Sequence, residues 1–72
     1  MLYNIRAFKG DVAYIFAESQ TKPREFFNIL SADRIASLEL KAGIIDRYEI
    51  IQAARSRKVI YTSEQSLGQV PN

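Results

Sequence analysis

The sequence predicts an α+β fold: one small domain of order β-β-α-β-α, with room for a short final edge strand. Its antiparallel sheet is expected to carry two helices packed on one face. Three observations predict this. Residues 2–18 alternate apolar and polar around Gly10-Asp11, residues 44–58 carry a helix-start signature followed by helical spacing, and 47% of the 72 residues are hydrophobic. That last proportion belongs to a folded chain rather than a disordered one.

The hairpin comes first. With Gly10-Asp11 as a two-residue loop, glycine supplies the positive φ that a type II′ turn needs at its first position. Lys9 then pairs with Val12, Ala7 with Tyr14, Ile5 with Phe16 and Tyr3 with Glu18. Tyr3, Ile5, Ala7, Val12, Tyr14 and Phe16 fall on one face, as a half-buried hairpin requires. The other face holds Leu2, Phe8, Ala13 and Ile15 among Asn4, Arg6 and Ala17, a surplus of apolar groups for a solvated face.

Ser19 to Pro23 breaks the strand, and Pro23 suits a first helical turn. A short helix is expected over 23–32, with Glu25 at its positive end and Phe26, Ile29 and Leu30 spaced to face the sheet. Residues 33–43 read two ways. Ala36, Leu38 and Leu40 alternate with Ser37, Glu39 and Lys41, as in a strand. Ser31 as an N-cap and Gly43 as a C-cap would instead bound a helix. The alternation, and a hairpin's need for a third strand, favour the strand.

The strongest local signal is at Asp46. Asp46 and Glu49 have capping-box spacing, Ile45 and Ile50 that of a hydrophobic staple, and Tyr48, Ile51 and Ala54 recur at helical spacing. Arg55, Arg57 and Lys58 would sit at the negative end of the dipole. A helix over 46–57 follows. Val59–Thr62 is β-branched and aromatic, which suits a short edge strand. One compact domain is therefore expected over 1–62, and a flexible tail over 63–72.

Composition narrows function. A 72-residue chain buries only about 60% of its unfolded surface, which leaves little room for a deep pocket. Without cysteine or histidine there is no disulfide, no thiolate and no imidazole base or ligand. Asp46 and Glu49 are the only close carboxylates, and capping accounts for them. No serine stands in a Gly-x-Ser-x-Gly elbow, and Gly10, Gly43 and Gly68 are too dispersed for a phosphate loop. No catalytic, cofactor or metal site is expected. No stretch reaches the roughly 18 apolar residues of a membrane span, and the N-terminus lacks the pattern of a signal peptide, so a cytoplasmic location is expected.

Two surfaces remain as candidates. Leu2, Phe8, Ala13 and Ile15 form an apolar set for contact with another protein or a second copy of the chain. Arg47, Arg55, Arg57, Lys58 and Tyr61 form a basic, aromatic set that suits a nucleic-acid backbone. Ten basic against eight acidic residues give a net charge of only +2, so protein is the expected partner and nucleic acid the second choice. The expected function is a non-enzymatic interaction module: an inhibitor, adaptor or regulator.

Overall fold

Two pairings of the first strand set the architecture. The computed structural model describes residues 2–53 and 58–63. Among them lie β1 (Tyr3–Lys9), β2 (Val12–Ile15), β3 (Ala17–Ser19), β4 (Lys22–Pro23), α1 (Ile29–Lys41), β5 (Arg47–Gln52) and β6 (Val59–Thr62). A four-stranded antiparallel sheet has the order β2-β1-β5-β6, and β3 and β4 form a separate small ribbon.

The hairpin turns as the sequence predicts. Gly10 has φ 57°, and Lys9 faces Val12, Ala7 faces Tyr14 and Phe8 faces Ala13. The pairing extends to Phe16, whose N–H donates to the Ile5 carbonyl at 2.9 Å. It stops there. Tyr3 does not meet Glu18 but exchanges two main-chain hydrogen bonds of 2.8 Å with Phe26. After the β3–β4 ribbon the chain thus returns to the first residues of β1. Buried Asn4 fastens this return by donating from Nδ2 to the Arg24 carbonyl.

The other edge of β1 overturns the expected helix at 46–57. Residues 47–52 are β5, running antiparallel to β1 with Ile5 opposite Ile50 and Ala7 opposite Tyr48. A capping box is worth about 1 kcal/mol, whereas each large side chain buried on the seam contributes about 1.5–3 kcal/mol. The tertiary pairing therefore outweighs the local signal. Arg47-Tyr48-Glu49-Ile50 also fits a strand, with Tyr48 and Ile50 inward and Arg47 and Glu49 outward. Residues 54–57, the end of the expected helix, lie outside the described residues.

The expected helix at 23–32 and strand at 33–43 are also replaced. Lys22–Pro23 form a strand and Phe26 a bridge to Tyr3, and a single helix is found among the described residues, at 29–41. Asn28 caps it, its Oδ1 accepting from the Ser31 N–H at 2.8 Å. Gly43, at φ 77°, ends it. Its N–H donates to Leu40 and that of Ile44 to Glu39, the paired bonds of a Schellman motif. The helical spacing puts Ile29, Ala32, Ala36 and Leu40 on one side, against Ile5, Ala7, Tyr48 and Ile50. Ala32 and Ala36 are fully buried, and so small a pair lets the helix approach the sheet closely. The Tyr48 hydroxyl donates to Asp33 on α1, which ties the helix to the sheet.

Val59–Thr62 is an edge strand, as expected, with Tyr61 opposite Ile50 and an irregularity between Ile50 and Ile51. Ser63, assigned by the sequence to the tail, is buried, and its Oγ accepts from the Tyr48 N–H at 3.0 Å. The rest of that tail lies outside the described residues. Among the described residues no helix is long and apolar enough to cross a membrane.

The two ends of α1 are independent tests of its bounds. Asn28→Ala should cost about 1 kcal/mol. Gly43→Ala should cost a similar amount, about 1 kcal/mol, because an added Cβ meets open space but must adopt a left-handed φ. Urea midpoints should fall for each, and the losses should add in the double variant because the two sites share no partner. A strand over 33–43 would leave both midpoints nearly unchanged.

Candidate functional site

The side of the sheet away from α1 holds most of the apolar set. Phe8 and Ala13 face each other across β1 and β2, and Ile15 lies two residues further along, opposite Arg6. Leu2 stands six residues from Phe8, roughly 20 Å along an extended strand. Its carbonyl accepts from the Ala53 N–H at 2.9 Å, so its main chain prolongs the β1–β5 ladder. Leu2 therefore does not join Phe8, Ala13 and Ile15 in one patch.

Charged side chains occupy the ground between. Arg6 donates from Nε and Nη2 to Glu49 Oε1 at 2.8 and 2.7 Å. The Arg47 guanidinium lies 3.7 Å from the centroid of the Phe8 ring, with its Nη1 3.7 Å from Glu49 Oε2. Arg6, Glu49, Arg47 and Phe8 thus form a continuous chain of contacts across two registered pairs. Alternation along β1 and β5 produces it, since the residues between them point into the core. A guanidinium over an aromatic face contributes about 0.5–2 kcal/mol according to its exposure. The phenyl face that the sequence leaves bare is covered by a cation.

Of the basic, aromatic set, the described members Arg47 and Tyr61 do not share a face. Arg47 is on the face away from α1. Tyr61 faces α1's side and packs against the core. Lys58 is exposed, and its carbonyl accepts from the Gln52 N–H at 2.9 Å. Arg55 and Arg57 lie outside the described residues. Arg47 and Tyr61 therefore cannot grip one strand of nucleic acid together across the sheet between them.

The close carboxylates also separate. Asp46 clips the β1–β2 turn, its Oδ2 accepting from the Gly10 N–H at 2.6 Å and its Oδ1 lying 3.6 Å from Lys9 Nζ. Lys9 in turn donates to the Gly43 carbonyl at 3.1 Å, so one lysine joins the hairpin turn to the end of α1. Glu49 belongs to Arg6. Among the described residues no three acidic side chains are grouped to hold a metal.

The large apolar groups that solvent reaches are elsewhere. Phe27 is 82% exposed, Leu30 65% and Leu38 62%. Leu30, Arg34 and Leu38 follow at four-residue spacing on the outward side of α1, and Phe27 stands just before the cap. Leu30 and Leu38 are about 12 Å apart along the axis. Sequence reasoning missed this stripe because a helix at 23–32 turns Leu30 inward and a strand at 33–43 puts Leu38 beside Ala36. The signal was present: once Asn28 is the cap, Ala32, Ala36 and Leu40 define the inner side, and Leu30 and Leu38 fall opposite.

Comparison of the chain with protein-family models, with curated proteins and with solved structures finds no match in any of the three.

The Asp46 clip gives a pH signature. The Gly10 N–H, and then the Lys9 charge, hold its carboxyl below the ordinary value of 3.8. A lowered folded-state pKa contributes stability that is present above the ordinary value and is lost as pH falls through the folded one. Asp46→Asn should therefore lower the urea midpoint at neutral pH, and the gap to the native chain should close as pH drops below 3.8. A gap independent of pH would remove the carboxylate's charge from the account.

Proposed function

We propose that this domain is a non-enzymatic module that acts by binding another protein, through the outward side of α1. The observation that carries this is the exposure of Phe27, Leu30 and Leu38 on or beside one helix face. Scattered apolar residues are ordinary on a surface. A regular stripe on a rigid helix is different, because it presents anchors at fixed spacing with little ordering cost. Arg34 between Leu30 and Leu38, and Lys41 beyond them, give that stripe a basic margin. An apolar groove with an acidic rim is the complementary partner surface.

The face away from α1 contributes less to this reading. Its apolar groups are interrupted by the Arg6–Glu49 pair and capped by Arg47. An inhibitor, adaptor or regulator of this size works through such a surface without pocket or cofactor.

The test is affinity capture from the native host's lysate with the full chain and with a Leu30→Glu/Leu38→Glu variant. Both positions are solvent-facing, so the variant should keep the native circular dichroism spectrum and urea midpoint. A protein retained by the native chain and lost by the variant is the expected result. Equal retention by both, or recovery of nucleic acid alone, would contradict the proposal.

A further inference from the structure

The outer edge of β2 is the other conspicuous surface, and it is independent of the α1 stripe. Among the described residues nothing pairs with it. Phe16 turns its N–H toward β1 and, by alternation, so do Tyr14 and Val12. Ala13 and Ile15 turn their N–H and carbonyl groups the other way, away from β1. Sheet edges are usually blunted by a charge, a proline or a bulge. Val12-Ala13-Tyr14-Ile15 has none of these. Its side chains are also uncovered: α1 lies over β1 and β5, and Val12 and Tyr14 beyond it are 61% and 40% exposed.

We propose that β2 pairs antiparallel with β2 of a second copy, about a two-fold axis through Tyr14, to make one continuous eight-stranded sheet. The occupant is argued from the strand's own register. Outward-pointing main-chain groups at Ala13 and Ile15 fix which residues can exchange hydrogen bonds. An axis at Tyr14 sets Ala13 opposite the second copy's Ile15, and the reverse, which gives four main-chain hydrogen bonds. Val12 then faces Phe16, and Tyr14 faces Tyr14. Every position from 12 to 16 meets an apolar or aromatic partner, and Asp11 falls opposite Ala17. Moving the axis to Ala13 sets Asp11 against Ile15, and moving it to Ile15 sets Val12 against Glu18, so the Tyr14 axis alone keeps charge out of the seam.

The rest of the fold accommodates this arrangement. Tyr14 already stacks on Phe16, with ring centroids 6.2 Å apart and planes 11° from parallel. The two-fold axis would join two such stacks into one aromatic row. Each helix sits about two strand spacings from the seam, so the pair would stand roughly 19 Å apart. That leaves a channel about one helix wide, floored by Val12 and Tyr14 of both copies. So short a seam makes a weak, concentration-dependent dimer rather than an obligate one.

Sedimentation of the full chain over a concentration series is the test, and position 14 supplies the specific variants. Tyr14→Lys and Tyr14→Glu each set like charges opposite one another on the axis and should weaken association by about tenfold or more. An equimolar mixture of the two variants should associate again, because opposite charges then face across the seam. Ala13→Pro removes an N–H that only the second copy uses. It should also give monomers, with β1–β2 contacts intact in the NMR spectrum. The Leu30→Glu/Leu38→Glu variant should associate like the native chain, which separates this edge from the α1 contact. A native chain still monomeric at about 1 mM, or charge variants that associate unmixed, would overturn the proposal.

Discussion

The antiparallel pairing of β1 with β5 is the constraint on which the rest of this structure depends. β1 is hydrogen-bonded along both edges, to β2 on one side and β5 on the other. The β2 pairing is local and closes through a two-residue turn. The β5 pairing joins residues 39 to 49 positions apart, and its closure costs chain entropy that grows only slowly with loop length. Ile5, Ala7, Tyr48 and Ile50 meet that cost, since all four are fully buried where the two strands face each other. α1 then lies on this seam because only there is the apolar surface continuous enough to bury a helix side carrying Ala32 and Ala36.

What is left exposed follows from the same placement. A 13-residue helix lies mainly over the two central strands, so Val12 and Tyr14 on the hairpin's apolar face stay exposed. Among the described residues nothing lies above the helix, and Leu30 and Leu38 are exposed. The opposite side of the sheet is dressed differently. There the register sets Arg6 against Glu49 and brings Arg47 over Phe8, and alternation turns a mixed face into a partly self-satisfied one. The two proposed contact surfaces are therefore those that one helix on four strands cannot cover.

The sequence disclosed what is local and concealed what is tertiary. The Gly10 turn, the Lys9–Val12 register and the Val59–Thr62 strand were legible because turn chemistry and β-branching act over a few residues. Two elements exchanged identity. Asp46 and Glu49 imitate a capping box, yet each answers to a distant partner: the Gly10 N–H for one and Arg6 for the other. Alternation over Ala36, Leu38 and Leu40 imitates a strand, because two helix faces interleave there: Ala36 and Leu40, four apart, face the sheet, and Leu38 between them faces outward. The preceding cap at Asn28 would have decided it, with Gly43 as its stop. Of the candidate surfaces, Phe8, Ala13 and Ile15 do share a face, as the hairpin register implied. The cation over Phe8 comes from β5 and was invisible while those residues were read as a helix. Of the basic set, Arg47 and Tyr61 face opposite sides of a sheet rather than adjoining one helix end, and Arg55 and Arg57 lie outside the described residues.

The most direct test of the central pairing is a cross-strand NMR measurement on the full chain. Ile5 and Ile50, and Ala7 and Tyr48, stand directly opposite in the ladder. Strong Hα–Hα cross-peaks should therefore join each pair, with slow amide exchange along residues 48–51. Absence of those cross-peaks, with sequential amide contacts and Hα contacts three residues apart through 47–52, would identify a helix there and contradict the account.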